Sequence, residues 1–183
     1  MKAPAEVLRI PSRYAMSFDG IDDYVRTPSQ TLSPPLTLEA WINYGVKYNC
    51  NLIMANTGAG YTTKGFRFFV NRYLTEDRRL VIEAGDGVSG SCLESDVNAI
   101  KPHTWRHGVA VIDGENSKLY LDGKEVASGT LLSFTQTSVV DIGQTVPYGF
   151  QFKGLIALAR IYNRALTADE VKHHYEATKP LFA

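Results

Sequence analysis

Three aspartates fall within five residues in the stretch SFDGIDDYV, Ser17 to Val25. A cluster of that density has three chemical uses: binding a divalent cation, moving protons, or closing a turn. Calcium takes about six to eight oxygen ligands and usually more than one carboxylate. Glycoside hydrolysis needs two carboxyl groups about 5–10 Å apart. Along one strand that means acids at alternating positions facing a cleft, and the pair that fits is Glu94 and Asp96, with Asn98 where a third acid would continue the row. No serine sits in a nucleophile elbow, so nothing in the residues supports catalysis. The turn reading is direct, because Asp19-Gly20 supplies the residue pair that tight reversals favour.

Other motifs carry less. GDGVSG, Gly85 to Gly90, matches a dinucleotide fingerprint, but the SCLESDVNAIKPHTW that follows has no apolar helical face, so it reads as a glycine-rich loop. His103 and His107 in HTWRH would share one side of an extended strand. Zinc would want further ligands, so they read as structural histidines beside a tryptophan. His173 and His174 point in different directions on a helix. Cys50 and Cys92 could form one bridge or stay as thiols, and the pair does not define a redox compartment.

Loop aromatics are the remaining feature. Tyr44, Tyr48, Tyr61, Tyr73, Tyr148 and Phe150 lie at or beyond the margins of the clearest strands, near Asn, Gly and Thr. A sugar ring can stack its C–H face on an aromatic while neighbouring amides satisfy its hydroxyls. Tyrosines equally anchor protein contacts, and they also serve to close the ends of a sandwich. The candidate ligand-binding set is Tyr44, Tyr48, Tyr61, Tyr148 and Phe150.

These residues need a scaffold. A chain of 183 residues supports one core. Short segments rich in Val, Ile, Tyr and Phe, such as LTLEAWIN, FRFFVN and KLYLDG, alternate as half-buried strands do. Four Asp-Gly pairs, at residues 19, 86, 113 and 122, fall between strand candidates. About a dozen strands without alternating helices predict an all-β fold, a two-sheet antiparallel β-sandwich or jelly roll. Trp41 and Trp105 are the expected large core aromatics. One C-terminal helix is expected in LTADEVKHHYEATK, capped by Thr167 and Glu170, with Val171 and Tyr175 on its buried face.

Nineteen basic residues balance nineteen acidic ones, which gives no long-range field for nucleic acid or anionic lipid. No run approaches the roughly 18 apolar residues of a membrane span, so no membrane insertion is expected. MKAPAEVLRIPSRYA is interrupted before an apolar stretch forms and does not read as a signal peptide. The expected location is an assembly or virion surface if Met1 is native, and the cell surface or outside if the chain is part of a larger exported protein.

In order, SFDGIDDYV, LTLEAWIN, TWRHGVAVIDGENSKLYLDGKEVA and FKGLIALARIYNRALTADEV resemble a laminin-G-like domain of the concanavalin A-like lectin/glucanase superfamily. The resemblance covers about residues 14–177, with 1–13 as an N-terminal extension and 178–183 as a tail. It implies a jelly roll and a mostly non-catalytic module that binds a glycan or a protein surface, and it implies a structural calcium ion in many members. In such domains an aspartate in the late strand, in a pattern like G-x-I-D-E, accompanies the early acids; here Ala157 stands in its place, so the calcium ligands the resemblance implies are Asp19 and Asp22 with backbone carbonyls and water, in a weaker site. Arg106 and Gly108 also depart from the pattern, and Gly108 is expected to mark a bulge. The first functional expectation is a glycan-binding, adhesive module. The alternative is a structural subunit, a homo-oligomer or larger assembly such as a virion decoration or tail protein.

Overall fold

The computed structural model describes residues 15–58, 60–145 and 150–182. Two six-stranded antiparallel sheets form a sandwich. The first runs in the order β1 (Met16–Asp19), β14 (Lys153–Tyr162), β4 (Leu36–Tyr44), β9 (Trp105–Ile112), β10 (Ser117–Leu121) and β11 (Lys124–Gly129). The second runs β2 (Val25–Arg26), β13 (Asp141–Ile142), β5 (Asn51–Ala55), β6 (Gly65–Val70), β7 (Leu80–Gly85) and β8 (Gly90–Glu94). A short ribbon pairs β3 (Gln30–Leu32) with β12 (Gln136–Ser138). The first and last strands are neighbours, since Met16 faces Ile156.

Period-two alternation sorts the side chains. Leu36, Leu38, Ala40, Ile42 and Tyr44 of β4 meet Phe66, Phe68 and Val70 of β6 and Leu80 and Ile82 of β7 in the core between the sheets. The Asp-Gly hairpin between β10 and β11 places both Asp122 and Gly123 at positive φ, 51° and 73°, the geometry a two-residue reversal demands.

The strands expected to be half-buried are covered on both faces. In β4 the odd positions Thr37, Glu39 and Trp41 point away from the core and are nonetheless buried. Their cover is helix α1 (Ala168–Thr178), which seats Val171 among Val109, Val111, Tyr120 and Leu166. The helix begins on the expected capping box: the Thr167 hydroxyl accepts from the Glu170 amide at 3.2 Å, and the Glu170 carboxylate accepts from the Thr167 amide at 2.8 Å. Thr167→Ala is expected to cost about 1 kcal/mol, measured as a lower urea midpoint with an unchanged slope.

Several expectations change here. Trp41 is buried outside the inter-sheet core, on the outer face of the first sheet, stacked on Tyr175 and Phe182 at centroid distances of 5.8 and 4.5 Å. Trp105 is only half-buried and meets Phe182 at 4.9 Å. Phe182 is therefore packed against the sheet, and the Thr178 hydroxyl accepts the Trp41 indole N–H at 2.8 Å. Gly108 sits in unbroken register between Ala40 and Leu121 and is no bulge. A Cβ there would stand 3.1 Å from the Phe68 ring, so the glycine makes room in the core. His103 lies in a turn before β9 with φ of 55°, while His107 is wholly buried on the strand, so the two do not share a face. Residues 1–13 and Tyr148 lie outside the described residues.

Candidate functional site

The outer face of the second sheet carries a hollow. Leu52 of β5, Phe69 of β6 and Val81 of β7 form a small apolar floor with Cys50. On the same face, Arg67 of β6 and Glu83 of β7 form a close ion pair, with a nitrogen–oxygen distance of 2.6 Å, and the Arg67 side chain is only 5% exposed. Three loops rise around this floor and bring Tyr61, Tyr73 and Phe150 to its margin, enclosing a cavity of about 700 Å³ with Asn49 at its edge. A second hollow of about 410 Å³ continues it toward Cys92 and Glu94 of β8, sharing Tyr61, Phe69, Tyr73 and Glu83. The result is one groove that crosses four strands, about 14 Å at the usual strand spacing.

Each wall has a local cause. The Asn71 side-chain amide donates to the Tyr44 hydroxyl at 3.0 Å, to the Lys47 carbonyl at 2.8 Å and to the Asn49 carbonyl at 3.0 Å. Asn49 in turn accepts the Leu74 amide at 2.9 Å. This network joins the segment after β4 to the loop that carries Tyr73. Phe150 packs against the apolar floor and meets Tyr73 edge-on at 6.0 Å. Tyr61 is held by backbone approach. A Cβ at Gly90 would lie 2.5 Å from the Tyr61 carbonyl, Gly85 is crowded by the Thr63 carbonyl, and the Gly87 amide donates to the Thr62 carbonyl at 3.0 Å. The GDGVSG stretch is thus the β7–β8 hairpin, and two of its glycines let a loop lie on the sheet edge.

Of the predicted ligand-binding residues, Tyr61 and Phe150 line the groove. Tyr48 is 58% exposed but stands outside it, its hydroxyl donating to the Leu74 carbonyl. Tyr44 is corrected outright: it is fully buried on the inward side of β4 and can only position the loops. Tyr73, 64% exposed, belongs to the groove. Arg67, Phe69 and Glu83 were missed by sequence reasoning. The signal available was parity, because in FRFFVN and LVIEA they are the residues that face away from the core.

The groove also holds a carboxylate pair that a search along single strands passes over. Glu83 faces Cys92 in the register, and Glu94 lies two residues further along β8, a diagonal of roughly 7–8 Å. Burial pushes the Glu83 carboxyl up from its ordinary value, with Arg67 opposing. Both acids are held by arginines, Glu83 by Arg67 at 2.6 Å and Glu94 by Arg72 and Arg79 at 3.4 Å each. Cys50 and Cys92 are both free thiols. Burial pushes Cys50 up to about 12 and raises Cys92, which keeps both protonated and unreactive near neutrality.

The acid cluster follows β1, the edge strand of the first sheet. Asp19, Asp22 and Asp23 place one carboxylate oxygen each within 4.8 Å of one another, all exposed, so Asp23 joins the two expected residues. Two of these oxygens already cap the loop: Asp19 Oδ1 accepts the Ile21 amide at 2.7 Å and Asp23 Oδ2 accepts the Asp19 amide at 2.9 Å. Asp19 faces Lys153 on β14, and Ala157 lies four residues further on, roughly 13 Å along the strand. A carboxylate at that position would be remote from the cluster.

The chain belongs to the concanavalin A-like lectin/glucanases superfamily, whose Laminin_G_3 profile matches residues 19–172. Among solved structures, similarity extends to domain 4 of AbnA, an extracellular GH43 arabinanase of Geobacillus stearothermophilus, in complex with arabinotriose. It is 19% identical, with a TM-score of 0.66 over 87% of this chain and 75% of that one. The CBM40 of the Ruminococcus gnavus IT-sialidase, bound to α2,3-sialyllactose, is 15% identical, with a TM-score of 0.63 over 84% and 97% of the two chains. A native heptameric SAP-like pentraxin from Limulus polyphemus is 18% identical, with a TM-score of 0.62 over 85% and 78%. Among curated proteins no sequence relative matches.

Proposed function

We propose that the chain is a non-catalytic glycan-binding module whose ligand is a short neutral oligosaccharide lying across β5 to β8. The observation that carries this reading is the groove itself: aromatic walls from Tyr61, Tyr73 and Phe150 over a floor that offers the Arg67–Glu83 pair and Asn49. Such a site pairs apolar faces for C–H surfaces with a few fixed polar groups for hydroxyls, the general pattern of small-ligand sites. A length of about 14 Å accommodates two or three sugar residues. The choice of a neutral sugar rests on the charges, since Arg67 is committed to Glu83, and Arg72 and Arg79 share Glu94. Domains of the same fold crystallised with arabinotriose and with sialyllactose support a sugar ligand in general. The arginine-bound state of both groove carboxylates supports binding without hydrolysis.

The test is a panel of neutral and acidic oligosaccharides read by calorimetry, with thin-layer analysis for cleavage products. Wild type is expected to bind neutral members in the micromolar to millimolar range. Tyr61→Ala should lose that binding, and Tyr48→Ala, outside the groove, should keep it. Binding confined to sialylated or uronate sugars removes the neutral assignment, and cleavage products remove the non-catalytic one. No sugar binding at all, with a stable oligomer in light scattering, turns the reading toward an assembly subunit.

A further inference from the structure

The loop that holds the acid cluster already contains a cation. Lys47, half-buried on the segment after β4, sends its ammonium to the Gly20 carbonyl at 2.7 Å and to the Gln151 carbonyl at 3.0 Å. Gly20 is the centre of the aspartate loop, at φ of 84°, and Gln151 lies just before β14. One positive group therefore bridges two chain segments through backbone oxygens, near enough to Asp19 to feel its charge. The packing is shaped for it: a Cβ on Gly20 would lie 3.4 Å from the Lys47 Cδ and 3.0 Å from the Lys153 Cβ.

We propose that the Lys47 ammonium is the resident cation of the Asp19–Asp23 loop, tying it to the start of β14 in place of a divalent ion. A bound calcium needs six to eight oxygens. Here the Gly20 and Gln151 carbonyls are turned to an ammonium that needs only hydrogen-bond acceptors, and two carboxylate oxygens are turned to loop amides. A divalent ion and the ammonium would compete for the same carbonyls at close range, where like charges repel strongly. Burial lowers the proton affinity of Lys47, and Asp19 acts in the opposite direction.

The proposal separates wild type from a lysine variant by melting temperature. The purified full chain is melted in chelator and in millimolar calcium chloride, and wild type is expected to give the same value in both. Lys47→Met should melt several degrees lower in chelator and recover part of the loss in calcium, because removing the ammonium frees the carbonyls and leaves the carboxylates uncompensated. If Lys47→Met does not fold, Lys47→Gln, which retains most of the stem and a donor without the charge, reads the same calcium response. A wild-type melting temperature that rises in calcium overturns the proposal. So does a variant as stable as wild type, or a destabilised variant with no calcium response, which would make Lys47 an ordinary packing residue.

Discussion

Glu39→Ala is expected to destabilise the protein by about 3–5 kcal/mol, the cost of removing one partner from a buried charge network, and to lower the melting temperature by about 10 °C. Glu39 sits on the outer face of β4 with no solvent exposure. His107 Nε2 lies 3.0 Å from one carboxylate oxygen, and the Tyr162 hydroxyl donates to the other at 2.6 Å. His174 Nδ1 on α1 stands 3.2 Å away, and an Arg160 nitrogen 3.4 Å away. Burial pushes the Glu39 carboxyl up, but the hydrogen bonds of His107 and Tyr162, with the charges of His107 and Arg160, outweigh it and hold the group at about 2. A carboxylate depressed in the folded state stabilises above its unfolded value of 4.5, and that contribution drains away as the pH falls toward 2. The contribution is on the order of 3 kcal/mol. Urea titrations across that window should show wild type losing stability with acid, and Glu39→Gln should flatten that part of the slope. A Glu39→Ala protein as stable as wild type would remove the network from the account of how α1 is held.

The second large effect concerns binding. Tyr61→Ala combined with Tyr73→Ala is expected to weaken the affinity for a neutral oligosaccharide by on the order of 100-fold, with little change in melting temperature. Both residues are exposed, 45% and 64%, and neither belongs to the core between the sheets. Aromatic anchors at a binding surface each account for about 1–2 kcal/mol or more, and about 3 kcal/mol is two decades in Kd. The two residues stand on different loops yet line the same hollows, so their effects need not add. Calorimetry on the single and double variants checks the result, and a double variant that binds like wild type would sink the groove as the site.

Much of the scaffold was legible because its signals are local. The Asp-Gly reversals, the Thr167 capping box and the alternation of LTLEAWIN each depend on a few neighbouring residues. Tyr44 shows how parity could have been pressed further: it continues Leu36, Leu38, Ala40 and Ile42 on the inward face, and that alone excludes it from a surface site. Glu39 and Trp41 lie on the opposite parity and were open to two fates, solvent or cover. The helix that covers them arrives more than 120 residues later in the chain, which no local pattern announces. The groove was visible only as scattered loop aromatics, because Tyr61, Tyr73 and Phe150 converge through three separate connections. Lys47 left no trace at all, since a lysine after a strand looks like any solvated charge until its acceptors are known.

The glycines at positions 85 and 90 bear on how such a groove is built. They fasten the Tyr61 loop to the β7–β8 hairpin through main-chain contact, with carbonyl oxygens of residues 61 to 63 against bare Cα positions. The Tyr61 ring also lies over Gly90, 2.6 Å from where a Cβ would stand, so a side chain at position 90 would displace both the main chain and the ring of this wall. Two residues with no side chain thus decide how closely one loop can settle on its own sheet.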